Sequence, residues 1–146
     1  ARDVLGIADA TSREFDENAP HCVIDLMPDQ QNKSKGGTMR LGAYVCNVKD
    51  GTLMQKAYGT PTVSERHRHR YEFNNEYRAA LENCGLVVSG TEEQKNIVET
   101  IEVKDHPFFL GVQFHPELKS RPTHPHPLFV AFVKASKEQH EKAETN

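Results

Sequence analysis

Apolar and polar positions follow one another in short blocks along most of this chain, and the spacing lengthens to a helical period in only a few places. His21 to Met27 is a brief apolar run rich in branched residues, closed by Pro28-Asp29, and reads as a buried strand followed by a turn. Gly42 to Val48 resumes a strand pattern. Asp50-Gly51 supplies a turn, Leu53 to Tyr58 a short helix, and Gly59-Thr60-Pro61 a break. Glu65 to Phe73 alternates, placing Arg66, Arg68 and Arg70 on one face of a strand and His67, His69 and Tyr71 on the other. Asn74 or Asn75 can cap a helix over Glu76 to Cys84, with Tyr77, Ala80, Leu81 and Cys84 as its apolar stripe and Gly85 as its stop. Leu86 to Ser89 and Ile97 to Val103 read as strands around the charged turn Gly90 to Asn96, and Phe108 to Phe114 as a further buried strand. Pro127 opens a last helix with Leu128, Phe129, Phe132 and Val133 on one side, fading into a charged tail, Lys137 to Asn146.

Several strands with flanking helices, no internal repeat and no linker predict an α/β or α+β architecture, and 146 residues suit one domain. The opening Ala1 to Gly6 resembles the end of a helix, with Gly6 as its stop and no start signal, which predicts that the chain begins inside a domain. Gln30 to Arg40, polar and carrying Lys33, Ser34, Lys35, Gly36 and Gly37, reads as a mobile surface loop.

Charge and composition narrow the partners. A formal charge of −3 gives no overall attraction to nucleic acid or anionic membrane, so a small molecule or a protein is the expected partner. No apolar stretch approaches the roughly 20 residues that span a bilayer, and no signal peptide is visible. Three widely spaced cysteines, Cys22, Cys46 and Cys84, make neither a disulfide framework nor a Cys-x-x-Cys knuckle, which points to a reducing, cytoplasmic setting.

The chemistry concentrates in Gly111-Val112-Gln113-Phe114-His115-Pro116-Glu117. Pro116, lacking an N–H, stops the preceding strand where His115 emerges, and extended backbone would project His115 and Glu117 to one side. The carboxylate can then accept from one ring nitrogen while the other faces a nucleophile or substrate. Taken alone, the pair fits a structural histidine equally well. The Arg-His-Arg-His-Arg-Tyr stretch offers an arginine face for a carboxylate or phosphate, or a metal site from His67 and His69 that lacks a suitably spaced further ligand. His124 and His126 fall in a Pro-rich turn and read as structural. Lys35 to Arg40 lacks the spacing of a phosphate loop; its composition suits a lid over an anion and an ordinary exposed turn equally. None of the cysteines has a nucleophile's setting, since Cys22 and Cys46 fall inside strands and Cys84 on a predicted core face.

Three segments in this order, Gly-Gly-Thr-Met-Arg-Leu-Gly at 36 to 42, Glu-Arg-His-Arg-His-Arg-Tyr-Glu at 65 to 72 and Gly-Val-Gln-Phe-His-Pro-Glu at 111 to 117, resemble the C-terminal glutamine amidotransferase domain of the CTP synthase family. The last is shared by class I amidotransferases generally. The resemblance covers Ala1 to about Ala135 and implies a flavodoxin-like, mostly parallel sheet flanked by helices, present here only in part. It implies that His115 and Glu117 are the triad base and its orienting acid. It further implies that Arg70 clamps the α-carboxylate of L-glutamine, that Tyr71 shapes the pocket, and that Glu14 receives the α-amino group. Gly37, Thr38 and Arg40 would belong to a lid associated with GTP activation. The family's ammonia passes to an N-terminal synthase domain that aminates UTP with ATP and Mg²⁺, in a homotetramer serving pyrimidine biosynthesis; no metal is implied for this part. The family's Gly-x-Cys-x-Gly-x-Gln nucleophile elbow does not occur in these residues, so it is expected to fall before Ala1 and the chain alone to be inactive. Another class I amidotransferase, or a noncatalytic ligand-binding or assembly module, are the alternative readings.

Overall fold

The computed structural model of the chain describes residues 1–26 and 39–145. The predicted loop therefore lies almost wholly outside the described residues, together with Gly36, Gly37 and Thr38.

The described elements are α1 (Arg2–Leu5), β1 (Thr11–Ser12), β2 (Cys22–Leu26), β3 (Arg40–Val48), α2 (Leu53–Tyr58), β4 (Thr62–His69), β5 (Tyr71–Phe73), α3 (Arg78–Asn83), β6 (Leu86–Glu92), β7 (Ile97–Val103), β8 (Leu110–Val112) and α4 (Pro127–Glu144). Two sheets result, one of five strands in the order β4-β3-β6-β7-β8 and one of three in the order β1-β2-β5. Parallel pairing, expected for most of the sheet, is confined to β1 with β2; the other described pairs are antiparallel. The cause is connection length: Glu92 and Ile97 face each other across a tight turn in which Asn96 takes φ 52, and parallel neighbours need a long crossover.

Leu53–Tyr58 forms the predicted helix, with the Thr52 side chain accepting from the Gln55 amide at 3.2 Å and Gly59 closing it in the left-handed region at φ 69. Glu102 of β7 adds a second cap, accepting the Leu53 and Met54 amides at 2.9 and 2.8 Å, which explains why a strand buries a carboxylate. Met54 is fully buried and packs with Val48, Phe114 and Leu128, ringed by Tyr58, Val63 and Leu110.

Four departures have local reasons. Glu65 to Phe73 is two strands in different sheets, because the chain bends at Arg70. The helix after Asn74 starts as a 3-10 turn, Asn75–Tyr77, which shifts the side-chain period; Cys84 ends up exposed instead of facing the core. Phe108 to Phe114 keeps only Leu110–Val112 as strand, for Phe108 packs on Phe132 of α4 with ring centroids 5.7 Å apart while Phe114 turns into the core. The charged segment from Lys137 continues α4 to Glu144, supported by helix-forming residues and by pairs such as Lys137 with Glu141 at 3.6 Å. Of the apolar residues on α4 only Leu128 is buried; Phe132 and Val133 are 56% and 65% exposed.

Gly90 marks a close approach between strands, since a Cβ there would stand 2.5 Å from Thr100 Oγ1 and 2.6 Å from Cys46 Sγ. Both neighbours are buried, so Gly90→Ala is expected to cost about 1–3 kcal/mol, read as a lowered denaturation midpoint with unchanged slope.

Candidate active site

β8 ends at Val112, the Gln113 amide makes one more bond to the Glu99 carbonyl at 2.8 Å, and the chain then leaves the sheet. His115 has extended backbone, its amide donating to the Arg66 carbonyl at 2.9 Å, and Pro116–Leu118 turns as a 3-10 helix. His115 Nδ1 lies 2.7 Å from Glu117 Oε1. The pairing foreseen from strand alternation is therefore made by the 3-10 turn, which folds Glu117 back toward the ring. A carboxylate only accepts, so Nδ1 carries the proton and Nε2 keeps its lone pair. The hydrogen bond from His115 holds the Glu117 carboxyl below its ordinary value. His115 is 40% exposed, which leaves Nε2 reachable by a reactant.

Of the residues expected to hold a substrate, Tyr71 is on the smaller sheet, Arg70 is just before it and Glu14 is in the turn after its β1 strand. Arg70 is the single residue between β4 and β5, half-buried at the bend; Arg66 and Arg68 stay exposed on β4. Tyr71 begins β5, opposite Leu26 of β2. Glu14 is exposed in the turn after β1, at the far side of the same sheet, and its amide donates to Ser12 Oγ at 3.2 Å. That turn is anchored by its neighbour Arg13, whose Nε and Nη2 grip the two oxygens of Asp25 at 2.6 and 3.0 Å.

Two residues that sequence reasoning did not single out join these parts. Gln113 donates from Nε2 to the Tyr71 carbonyl at 2.8 Å, tying the strand that leads to His115 to the start of β5. Lys119 donates to the Ser64 carbonyl at 2.6 Å and to Glu65 Oε1 at 3.2 Å, fastening the far end of the turn to β4. A polar residue inside the apolar run 108–114 was the available signal for Gln113. Glu65 is itself buried and also accepts from Tyr58 at 2.9 Å and from His126 Nε2 at 3.2 Å. His126 Nδ1 in turn accepts the Leu128 amide at 3.3 Å as the cap of α4, the structural role its turn suggested.

Beneath the site lies a second buried group. Arg40, expected in a lid, is the first residue of β3 and 6% exposed, with Nη1 2.6 Å from Glu99 Oε1 and its guanidinium 4.1 Å from the centre of the Tyr44 ring. His67 Nε2 stands 3.4 Å from Glu99 Oε2, and His67 Nδ1 is 2.8 Å from His69 Nε2. Burial and the positive charge of Arg40 push His67 down to about 3 and His69 to about 4, so both rings are neutral; burial pushes Glu99 up against the pull of Arg40. With their facing nitrogens bonded to each other, the two histidines are not a metal pair. Among the described residues no group of three or more His, Cys, Asp or Glu is placed to hold a metal ion, and no helix is long and apolar enough to cross a membrane.

The cysteines are poorly placed for nucleophilic work. Cys46 is buried, and desolvation aided by the negative charge of Glu99 pushes its thiol up to about 12; Cys22 is buried against the Ala19 carbonyl at 3.5 Å.

The family model for class-I glutamine amidotransferases matches residues 7–135. The chain belongs to that family. Within it the resemblance is to CTP synthases: 59% identity over 136 residues with the CTP synthase of Caldanaerobacter subterraneus, covering 92% of this chain and 25% of that protein, and 58% over 135 residues with that of Rubrobacter xylanophilus, covering 92% and 24%. The chain thus spans about a quarter of the length of these relatives. Among solved structures, the glutaminase domain of Trypanosoma brucei CTPS with bound acivicin superposes with a TM-score of 0.86 at 37% identity, over 94% of this chain and 54% of that one. A GMP synthase protein of Thermoplasma acidophilum, at 15% identity and a TM-score of 0.55 over 73% of this chain and 48% of that one, shares the fold.

Proposed function

We propose that this chain supplies the base, the orienting acid and the glutamine pocket of a glutamine-hydrolysing CTP synthase. The observation that carries the reading is the 2.7 Å bond from His115 Nδ1 to Glu117, which commits Nε2 to the role of proton acceptor in a chain of this family. In this reading a thiolate attacks the carboxamide carbon of glutamine. His115 Nε2 takes the thiol proton and returns it to the departing ammonia, leaving a γ-glutamyl thioester. Water, deprotonated by the same nitrogen, then releases glutamate and the thiol. Cys22 and Cys46 are buried, and in this reading the nucleophile comes from another part of the protein and the chain alone is inactive.

The remaining roles are charge matches. The Arg70 guanidinium meets the glutamine α-carboxylate, Glu14 its α-ammonium, and Tyr71 the side of the pocket, so both charges of a free amino acid are answered. In the same reading ammonia moves to a synthase domain outside these residues, where ATP with Mg²⁺ activates UTP; GTP acts through the stretch that carries Gly37 and Thr38, and the whole is a cytoplasmic homotetramer. The test is Arg70→Ala in the full-length protein. It is expected to raise the glutamine KM about ten- to a hundredfold, the weight of one charge-assisted bond, with ammonia-driven CTP formation as the reference reaction. An unchanged KM would remove Arg70 from the pocket.

A further inference from the structure

Arg70 sits where the chain passes from β4 of the five-stranded sheet into β5 of the three-stranded one, whereas His115 follows β8 and is bonded through its amide to Arg66 of β4. The direction the chain takes at Arg70 therefore depends on what holds β5 to the five-stranded sheet. Apolar packing leaves part of that crossing open: a groove of about 210 Å³ runs there between Ile24, Phe73, Val98, Val112 and Gln113. Polar contacts cross it: Glu72 of β5 lies 3.9 Å from Arg40 of β3, and two hydrogen bonds meet at one backbone atom. The Tyr71 carbonyl accepts from Gln113 Nε2 at 2.8 Å and from His69 Nδ1 at 3.2 Å, which occupies both of its lone pairs.

The proton positions along this path follow from the partners. A carbonyl cannot donate, so His69 carries its proton on Nδ1 and accepts on Nε2 from the Nδ1–H of His67 at 2.8 Å. That leaves the bare Nε2 of His67 facing Glu99 Oε2 at 3.4 Å, while Arg40 donates to the other oxygen at 2.6 Å. The hydrogen-bonded path ends at His67, whose Nε2 makes no hydrogen bond, and begins at the backbone of the residue after Arg70. Its members are neutral and buried or half-buried, so solvent does not compete strongly for them.

We propose that Gln113 and His69 are positioning residues which, through the Tyr71 carbonyl, set the distance between the carboxylate clamp at Arg70 and the base at His115, and so select substrates by their α-carboxylate. This deepens the proposed glutamine site and rests on that reading. Neither residue touches the reacting atoms; each acts through the bend it holds.

The experiment uses the full-length protein with Gln113→Met, which keeps the side chain's length and removes its donor. KM for L-glutamine is expected to rise about five- to tenfold, while kcat changes by less than threefold. With glutamine α-amide, which presents no carboxylate to Arg70, the variant and the unaltered protein should have the same KM. That selective loss is not produced by general damage to the fold. Gln113→Asn, which withdraws the amide by one methylene, is the second variant should Gln113→Met fold poorly, and the same selective loss is expected of it. An unchanged glutamine KM, or an equal loss for both substrates, would overturn the proposal. Arg70→Ala run alongside separates the two levels: if it raises the glutamine KM while the Gln113 variants do not, the pocket stands and the joint falls; if it too is without effect, the pocket reading fails first.

Discussion

His115→Asn in the full-length protein is expected to lower glutamine hydrolysis about a thousandfold or more, with CTP formation from added ammonia as the reaction that bypasses the loss. Asparagine keeps a polar side chain of similar reach, so the turn at Pro116–Leu118 can still form. It has no lone pair that takes a proton near neutral pH, so the thiol is no longer deprotonated and ammonia leaves without a proton donor. Glu117→Gln should act in the same direction but less, because a carboxamide can hold the ring through its oxygen yet cannot stabilise the imidazolium that forms during transfer. Steady-state glutaminase assays at several pH values distinguish the two. A His115→Asn protein retaining a tenth of the activity would refute the assignment of the base, whatever the family membership.

The largest expected effect on stability lies away from that pair. Glu99→Ala leaves the Arg40 guanidinium, 6% exposed, with Glu72 at 3.9 Å in place of its 2.6 Å partner, and removing one member of a buried ion pair typically costs about 3–5 kcal/mol. Glu99→Gln, which still accepts from Arg40, should cost less. The two-site variant Arg40→Met with Glu99→Leu is expected to recover most of the loss, since apolar side chains of similar size replace buried ion pairs at little cost. Hydrogen exchange of the β3 and β7 amides in the full-length protein reads the local stability. If Glu99→Ala exchanges like the parent, the pair is not the anchor its burial implies.

Elements whose signals are local were readable before the structure. Leu53–Tyr58 formed as expected because Thr52, Gly59 and the intervening residues carry cap, stop and helix propensity within a few positions. Ile97–Val103 likewise matched residue for residue. The failures came where distant partners decide. Nothing near Arg40 announces that Glu99, 59 positions on, will draw it inward, and a stretch that alternates as regularly as Glu65 to Phe73 gives no warning that the two ends enter different sheets. His115 and Glu117 were legible as a pair because they are two residues apart; Glu65, Lys119 and His126 were not legible as a group, because their meeting depends on how α2, β4 and α4 pack.

The one-residue passage between β4 and β5 has a bearing on how this stretch can vary. Most connections in a domain tolerate added or lost residues, but here an insertion at position 70 would turn the strand that follows onto its opposite face. Tyr71 would lose Gln113 and His69 together, and Glu72 its place near Arg40. Residues 65 to 73 should consequently behave as a segment of invariant length, open to exchange of its outward Arg66 and Arg68 but closed to any change in residue count.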